Sequence, residues 1–165
     1  MDFLGTLDNQ PLEFKTYGQR ILRLEPQARL AGLATTTAPN MIGGSHSNHV
    51  KDGTLGATIA GGGAITRFPI NNIISAAPNV VAGDFGSVGG GSENSVTGEA
   101  GAVPGGVNNA AAGRYSFAAG QGAQIVTDAP AVFAAADMIV KVKEPQPSEI
   151  ALLEARHVLF TYLHL

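Results

Sequence analysis

The chain has 165 residues with a formal net charge of −3, 22 Gly, 9 Pro, no Cys, no Trp and 14% charged residues. This balance leaves no basic footprint for nucleic acid, and the absence of Cys excludes disulfides and thiolate metal sites. Apolar residues reach 44% but are rich in Ala and Val, which suits a thin, elongated interior better than a thick globular core.

Residues 1–10 include Asp2 and Asp8 and no apolar run of signal-peptide length, and no later stretch approaches the roughly 20 residues needed to span a bilayer. The expectation is a chain without export signal or membrane insertion. From Leu12 to Thr16 apolar and polar residues alternate, Tyr17-Gly18-Gln19 supplies a turn signal, and Leu22 and Leu24 share one face of the next run. A β-hairpin is predicted there, acting as a cap over whatever follows, with residues 1–39 forming cap and linker.

Nineteen of the 22 glycines fall between Gly43 and Gly122, a stretch whose only charges are Lys51, Asp52, Arg67, Asp84, Glu93, Glu99 and Arg114. The apolar residues Ile59, Ile74, Val88, Val103 and Phe117 are spaced 15, 14, 15 and 14 apart and are the predicted core. In phase with them run Asn79, Asn94 and Asn109, each followed four residues later by Gly83, Gly98 and Gly113. Ile42 lies 17 before Ile59, which implies a small insertion near Lys51-Asp52-Gly53, and Arg67-Phe68-Pro69 marks an irregular excursion.

A fixed period of this length signals stacked units, each too small to bury its own apolar face. About 14 residues accommodate two short strands and two turns. The glycines are predicted turn residues reaching positive φ or allowing close backbone approach, and the asparagines either take the left-handed conformation, bond their own turn, or stack as ladders. The fold class expected is mainly β: a solenoid of 14–15-residue coils over 40–124, between the hairpin cap and a small α/β segment over 125–165.

Ser87-Val88-Gly89-Gly90-Gly91-Ser92-Glu93-Asn94-Ser95-Val96-Thr97-Gly98 and Tyr115-Ser116-Phe117-Ala118-Ala119-Gly120 resemble the left-handed β-roll head repeats of trimeric autotransporter adhesins and related phage-fibre-like proteins. The resemblance implies a parallel homotrimer, a protein or surface ligand as partner, and an extracellular, cell-surface or virion-surface location. Asp8 to Phe14 through Leu22 to Pro26 is similar to the leader that precedes such repeats.

After Gln124 the pattern changes to strand (Ile125-Val126), helix (Pro130 to Ala136), strand (Met138 to Val142), helix (Ser148 to Ala155) and strand (Val158 to Leu163), with Asp128 or Thr127 able to cap the first helix. This is the order of a parallel βαβ unit. Ala136-Asp137-Met138-Ile139-Val140-Lys141-Val142-Lys143-Glu144-Pro145 and Leu159-Phe160-Thr161-Tyr162-Leu163-His164-Leu165 resemble the amino-terminal domain of bacterial alanine dehydrogenase over about 42 residues. By that resemblance Lys143 would hold the substrate carboxylate or carbonyl and His164 would be the acid/base group.

No G-x-G-x-x-G or G-x-x-x-x-G-K occurs, so this sequence encodes no pyrophosphate cradle and no cofactor is expected. Lys143 and His164 read as inactive remnants, since catalysis needs a full constellation. His46 and His49, in Ser45-His46-Ser47-Asn48-His49, read as a solvated turn rather than a metal site. Asp84, Glu93 and Glu99 share no repeat position, which argues against a calcium-binding β-roll. The functional expectation is a non-enzymatic, homotrimeric structural or adhesin-like β-roll. The alternatives are a dehydrogenase fragment completed by a partner chain, or a recombined fusion with no selected activity.

Overall fold

The structure, a computed structural model, describes residues 4–68, 73–126 and 128–161. The chain divides into two units, Met1–Ile125 and Val126–Leu165. In the first, β1 (Leu12–Thr16) and β2 (Gln19–Glu25) form the expected antiparallel hairpin. Tyr17 and Gly18 take φ of 48° and 72°, the paired positive values of a two-residue link whose twist matches that of its strands. A second hairpin, β3 (Ala28–Ala31) and β4 (Ala34–Thr37), turns at Gly32 with φ 62°, inside the stretch expected to be linker.

Stacked coils follow. β5 (Asn40–Gly43) and β6 (His49–Val50) make the first coil, and the second begins with β7 (Thr58–Ile59). An antiparallel hairpin of β8 (Ala64–Phe68) and β9 (Ile73–Ala77) then leaves the stack before β10 (Val80–Val81) completes the second coil. β11 (Ser87–Val88) and β12 (Ser95–Val96) form the third coil. β13 (Ala102–Val103), β14 (Gly106–Val107) and β15 (Ala110–Ala111) form the fourth, and β16 (Gly120–Gln121) with β17 (Gln124–Ile125) the last. One wall carries the order β1-β2-β5-β7-β11-β13 and the other β6-β10-β12-β15-β17, with β14 and β16 pairing along a third side. Coil-to-coil pairing is parallel and in register, as in Val81↔Val96 and Val88↔Val103.

Because side chains alternate across a strand, a two-residue strand sends one side chain inward and one outward. Ile42, Ile59, Val88, Val103 and Ala118 therefore line the interior of one wall, and Val50, Val81, Val96 and Ala111 that of the other, in one continuous core. Each buried Val or Ile contributes about 1.5–3 kcal/mol only when coils above and below exclude water. The stack is thus the smallest unit that can be stable.

Two members of the predicted core series lie elsewhere. Ile74 belongs to the β8–β9 hairpin, where it pairs with Arg67. Ile59 of the second coil pairs directly with Val88 of the third. The excursion is about as long as a coil, so its spacing mimics the repeat without being one. Phe117 is 65% exposed while its neighbour Ala118 is 2% exposed. Phe117 bridges Ala102, an outward position, so the inward step from Val103 is the 15-residue step to Ala118.

The first coil is closed from the amino-terminal side by β2, which pairs antiparallel with β5 from Leu22↔Gly43 to Glu25↔Asn40. Between later coils, the Asn carbonyls of this column accept backbone N–H groups from the coil before, as in His49 to Asn79 and Val80 to Asn94. Asn48 has no earlier coil. Its carbonyl accepts instead from Arg20 Nη2 at 2.7 Å, and Nη2 also reaches the His46 carbonyl at 3.0 Å. A guanidinium does for the first coil what a peptide N–H does for the others.

In the second unit, α1 (Ala129–Ala135) leads to β18 (Met138–Lys141), α2 (Pro147–Ile150) and β19 (Val158–Thr161). Asp128 caps α1, accepting from the Ala131 N–H at 2.9 Å. β18 and β19 are parallel, from Met138↔Val158 to Lys141↔Thr161. The strand predicted at Ile125-Val126 is not part of this sheet: Gln124 and Ile125 pair with Ala110 and Ala111 as the closing strand of the solenoid. The second helix ends four residues after it starts and gives way to short-range turns such as Leu152 N–H to Glu149 O and Leu153 N–H to Ile150 O. The predicted end of the last strand, Tyr162 and Leu163, lies outside the described residues.

Candidate functional site

Asn79, Asn94 and Asn109 are fully buried and absent from the positive-φ positions, so they do not take the left-handed conformation, while Asn94 and Asn109 bond their own turns at the Gly90 and Gly105 carbonyls. They form a side-chain ladder. Asn48 Oδ1 accepts the Asn79 N–H (2.8 Å), Asn79 Oδ1 accepts the N–H and Nδ2 of Asn94 (3.1 and 3.0 Å), and Asn94 Oδ1 accepts the same two groups of Asn109 (3.1 and 3.0 Å). Ala123 N–H closes the column on Asn109 Oδ1 at 2.9 Å. Each Nδ2 also donates to turn carbonyls, as Asn94 does to Gly90 and Gly106 at 3.0 and 2.9 Å. Asn is selected because its amide offers donors and an acceptor at once, which satisfies the polar backbone of a turn sealed inside the stack.

Gly83, Gly98 and Gly113 likewise do not occupy positive φ. At Gly83 an added Cβ would strike the backbone of Gly98, and at Gly98 that of Gly113, so close approach is the requirement there. The positive-φ glycine column is a different one: Gly44, Gly62, Gly91, Gly106 and Gly120. At Gly91, with φ 77°, a Cβ would meet the Gly106 carbonyl. A second left-handed column recurs at Gly56, Phe85, Ala100 and Tyr115, three of them non-glycine and each held by a coil-to-coil bond such as Ala100 N–H to Asp84 O at 2.8 Å. A search for glycine periodicity passes over these positions.

Outward strand positions of the middle coils are small and neutral, Thr58, Ser87 and Ala102 on one wall and Val80, Ser95 and Ala110 on the other, all half-buried, whereas the same columns begin with Met41 and His49 and end with Phe117 and Gln124. His46 and His49 are exposed, and His49 Nδ1 lies 3.2 Å from the Ser47 carbonyl. Among the described residues no three His, Asp or Glu side chains gather as a metal site, and no helix is long and apolar enough to cross a membrane. Arg29 forms a forked pair with Asp84 at 2.6 and 3.0 Å and holds its carboxyl below the usual carboxylate range.

In the second unit Lys143 is exposed, and its carbonyl accepts the Thr161 hydroxyl at 2.7 Å. His164 lies outside the described residues, so the pair implied by resemblance is placed at one end only. Lys141 bonds Glu149 at 3.2 Å. The Glu149 carboxyl is lowered, first by the Gln146 backbone N–H and then by Lys141. Sequence reasoning passed over Arg156 and His157. Arg156 donates to the carbonyls of Phe133 (2.9 Å), Ala134 (3.2 Å) and Ala136 (3.2 Å) at the end of α1 and pairs with Asp137 and Glu154. His157 accepts the Glu154 N–H at Nδ1 and donates from Nε2 to the Phe133 carbonyl at 2.9 Å, standing edge-on to the Phe133 ring. Both side chains serve the last turn of α1, which carries no basic side chain of its own.

The architecture defines the first unit as a β-solenoid of stacked coils, and the second as a small parallel α/β segment. Comparison with known proteins gives that segment its kinship. Residues 107–165 match the model of the alanine dehydrogenase/PNT amino-terminal domain, a match that begins within the fourth coil. Over 44 residues, 27% of this chain and 12% of the relative, the sequence is 54% identical to an alanine dehydrogenase of Methanococcus maripaludis. It is 50% identical, over the same shares, to those of Halomonas elongata and Mycobacterium tuberculosis. The chain thus spans about an eighth of the length of these relatives. No solved structure matches it significantly.

Proposed function

We propose that this chain is a non-enzymatic structural protein whose β-solenoid associates as a homotrimer and presents its outer faces to a protein or surface ligand, in the manner of adhesin heads at a cell or virion surface. The observation that supports this reading is the run of small, neutral outward residues on the middle coils of the two walls, Thr58, Ser87 and Ala102 against Val80, Ser95 and Ala110. Such walls allow neighbouring solenoids to lie close without burying charge. Sedimentation equilibrium tests it directly: a single species of three times 16.8 kDa is expected, and a monomer at micromolar concentration overturns the reading.

A second reading is favoured by the 54% identity of the carboxyl-terminal stretch to an alanine dehydrogenase. Here the α/β segment is a dehydrogenase fragment that a partner chain completes, with Lys143 toward the substrate carboxylate and His164 as acid/base. Alanine-dependent reduction of NAD separates the readings. The structural reading expects none from the purified chain, with or without an added dinucleotide-binding domain, whereas restored turnover on mixing favours the fragment.

A further inference from the structure

We propose that the groove between the β1–β2 turn and the first coil is a binding site for a small organic carboxylate, with Arg20 as its anchor. A cavity of about 650 Å³ lies here, lined by Gln19, Arg20, Ile21, Ser45, His46 and Ile65. That volume falls within the range of small-molecule sites, and the mixture of two isoleucines with convergent polar groups is the usual lining of one.

Among the arginines whose side chains are described, charge bookkeeping singles out Arg20. Arg23, Arg29, Arg114 and Arg156 each face a carboxylate, and Arg20 faces none among the described residues. Its guanidinium is partly withdrawn from water and fixed by the bonds from Nη2 to the Asn48 and His46 carbonyls. Nε is buried and meets no acceptor, and Nη1 donates to no described atom. A fixed, half-buried cation with unused donors favours an anion beside it. Glu13, which lines the adjoining hollow, does not supply that charge, because it is held by Lys15 and Arg23.

The class of anion follows from the donors. Arg20 offers one unbalanced charge with Nη2 already committed, which suits a monoanionic carboxylate better than a dianionic phosphate. The His46 and Gln19 side chains, both exposed, can bond its second oxygen, while Ile21 and Ile65 accept an apolar body.

Titration of the intact chain with sodium benzoate, followed by NMR of the arginine Nε–Hε and histidine ring signals, tests the site. A single charge-assisted contact with a small apolar body supports a dissociation constant on the order of 1 mM. The Arg20 and His46 signals should move together and saturate, with benzamide and matched sodium chloride giving no comparable shift. His46→Ala, which leaves the backbone carbonyl bonded to Arg20 intact, should weaken binding about three- to tenfold. Arg20→Lys, which keeps the charge but loses the guanidinium's attachment to the Asn48 and His46 carbonyls that fixes it, should weaken it further. Absence of saturable shifts, an equal response to benzamide, or unchanged affinity in His46→Ala overturns the proposal.

Discussion

The two units solve the burial problem in opposite ways. In the solenoid each of the first four coils contributes one apolar side chain to each wall and one Asn to a ladder, and each such group stacks on the equivalent group above or below. In the α/β unit Phe133 and Ile139 are buried, whereas Met138, Val140, Val158 and Phe160 on the two parallel strands are exposed. Parallel strands are ordinarily covered on both faces, so this unit carries the surface pattern of a larger layered domain while the solenoid completes its own. Repetition makes a thin core self-sufficient, and a fragment of a thick core is not.

The largest expected effect comes from breaking the ladder. Asn94→Ala removes the bonds to Asn79, Gly90 and Gly106 and the acceptor for Asn109, leaving several buried partners without a bond. About 4 kcal/mol of stability should be lost. Asn94→Asp should fare no better, because a carboxylate cannot donate to the two turn carbonyls. Urea denaturation followed by circular dichroism measures both, and a loss below about 1 kcal/mol would mean that the ladder is ornamental.

Next comes backbone approach. Gly91→Ala places a Cβ against the Gly106 carbonyl at a left-handed φ, and should cost about 3 kcal/mol. Gly90→Ala, one residue away with open space at its Cβ and no positive φ, should be neutral within about 0.5 kcal/mol. Equal effects at the two positions would contradict the stacking geometry.

These paired positions also mark what was legible in the sequence. The repeat, the hairpin cap and the carboxyl-terminal change of pattern could all be read, because period and turn chemistry are local properties. Which glycine takes a positive φ and which only lets a neighbour approach could not, since Gly91 and Gly98 both press on a carbonyl of the next coil and differ in backbone φ, which residue type alone does not disclose. The excursion is legible at Arg67-Phe68-Pro69 but its extent is not: Ile74 keeps the spacing of the core series although it lies in β9, because the excursion's length preserves the phase of Asn79 over Asn48. The strand expected at Ile125-Val126 belongs instead to the solenoid at Ile125, because β-forming residues before a helix read the same in either context, and the pairing of Ile125 with Ala111 is a non-local choice. At the candidate sites, Lys143 was legible by resemblance, whereas Arg20 and Arg156 were not, as both act on main-chain carbonyls more than 20 residues away or close to it.

Removal of the α/β unit is expected to matter less. A chain ending at Ile125 should keep its β circular dichroism and melt within about 5 °C of the full chain, a shift equivalent to about 1 kcal/mol. Residues 126–165 alone should show no cooperative transition, since two paired strands with one uncovered apolar face are marginal in water. A stable isolated α/β unit, or collapse of the shortened solenoid, would reverse the contrast drawn between them.

The smallest effect concerns pH, and it is confined to the solenoid. Arg29 holds the Asp84 carboxyl below its ordinary value, and Asp84 also accepts the Leu55 N–H at 3.0 Å, linking the β3–β4 hairpin to the turns that follow the first and second coils. Because the folded-state value is depressed, this contribution is fully present above the ordinary carboxylate range and is lost as pH falls through the lowered value. Backbone exchange in Ala28–Thr37 should therefore accelerate below about pH 4 relative to the stacked coils, after correction for the intrinsic pH dependence. In Asp84→Asn the hairpin should be loosened at neutral pH and show no further acid-dependent step. The α/β unit contains a depressed carboxylate of its own in Glu149, but that group ties the start of α2 to Lys141 of β18 and should leave the hairpin unaffected. An acid response of equal size in Asp84→Asn would assign the titration to other carboxylates and remove the Arg29 clamp from the forces that hold the hairpin.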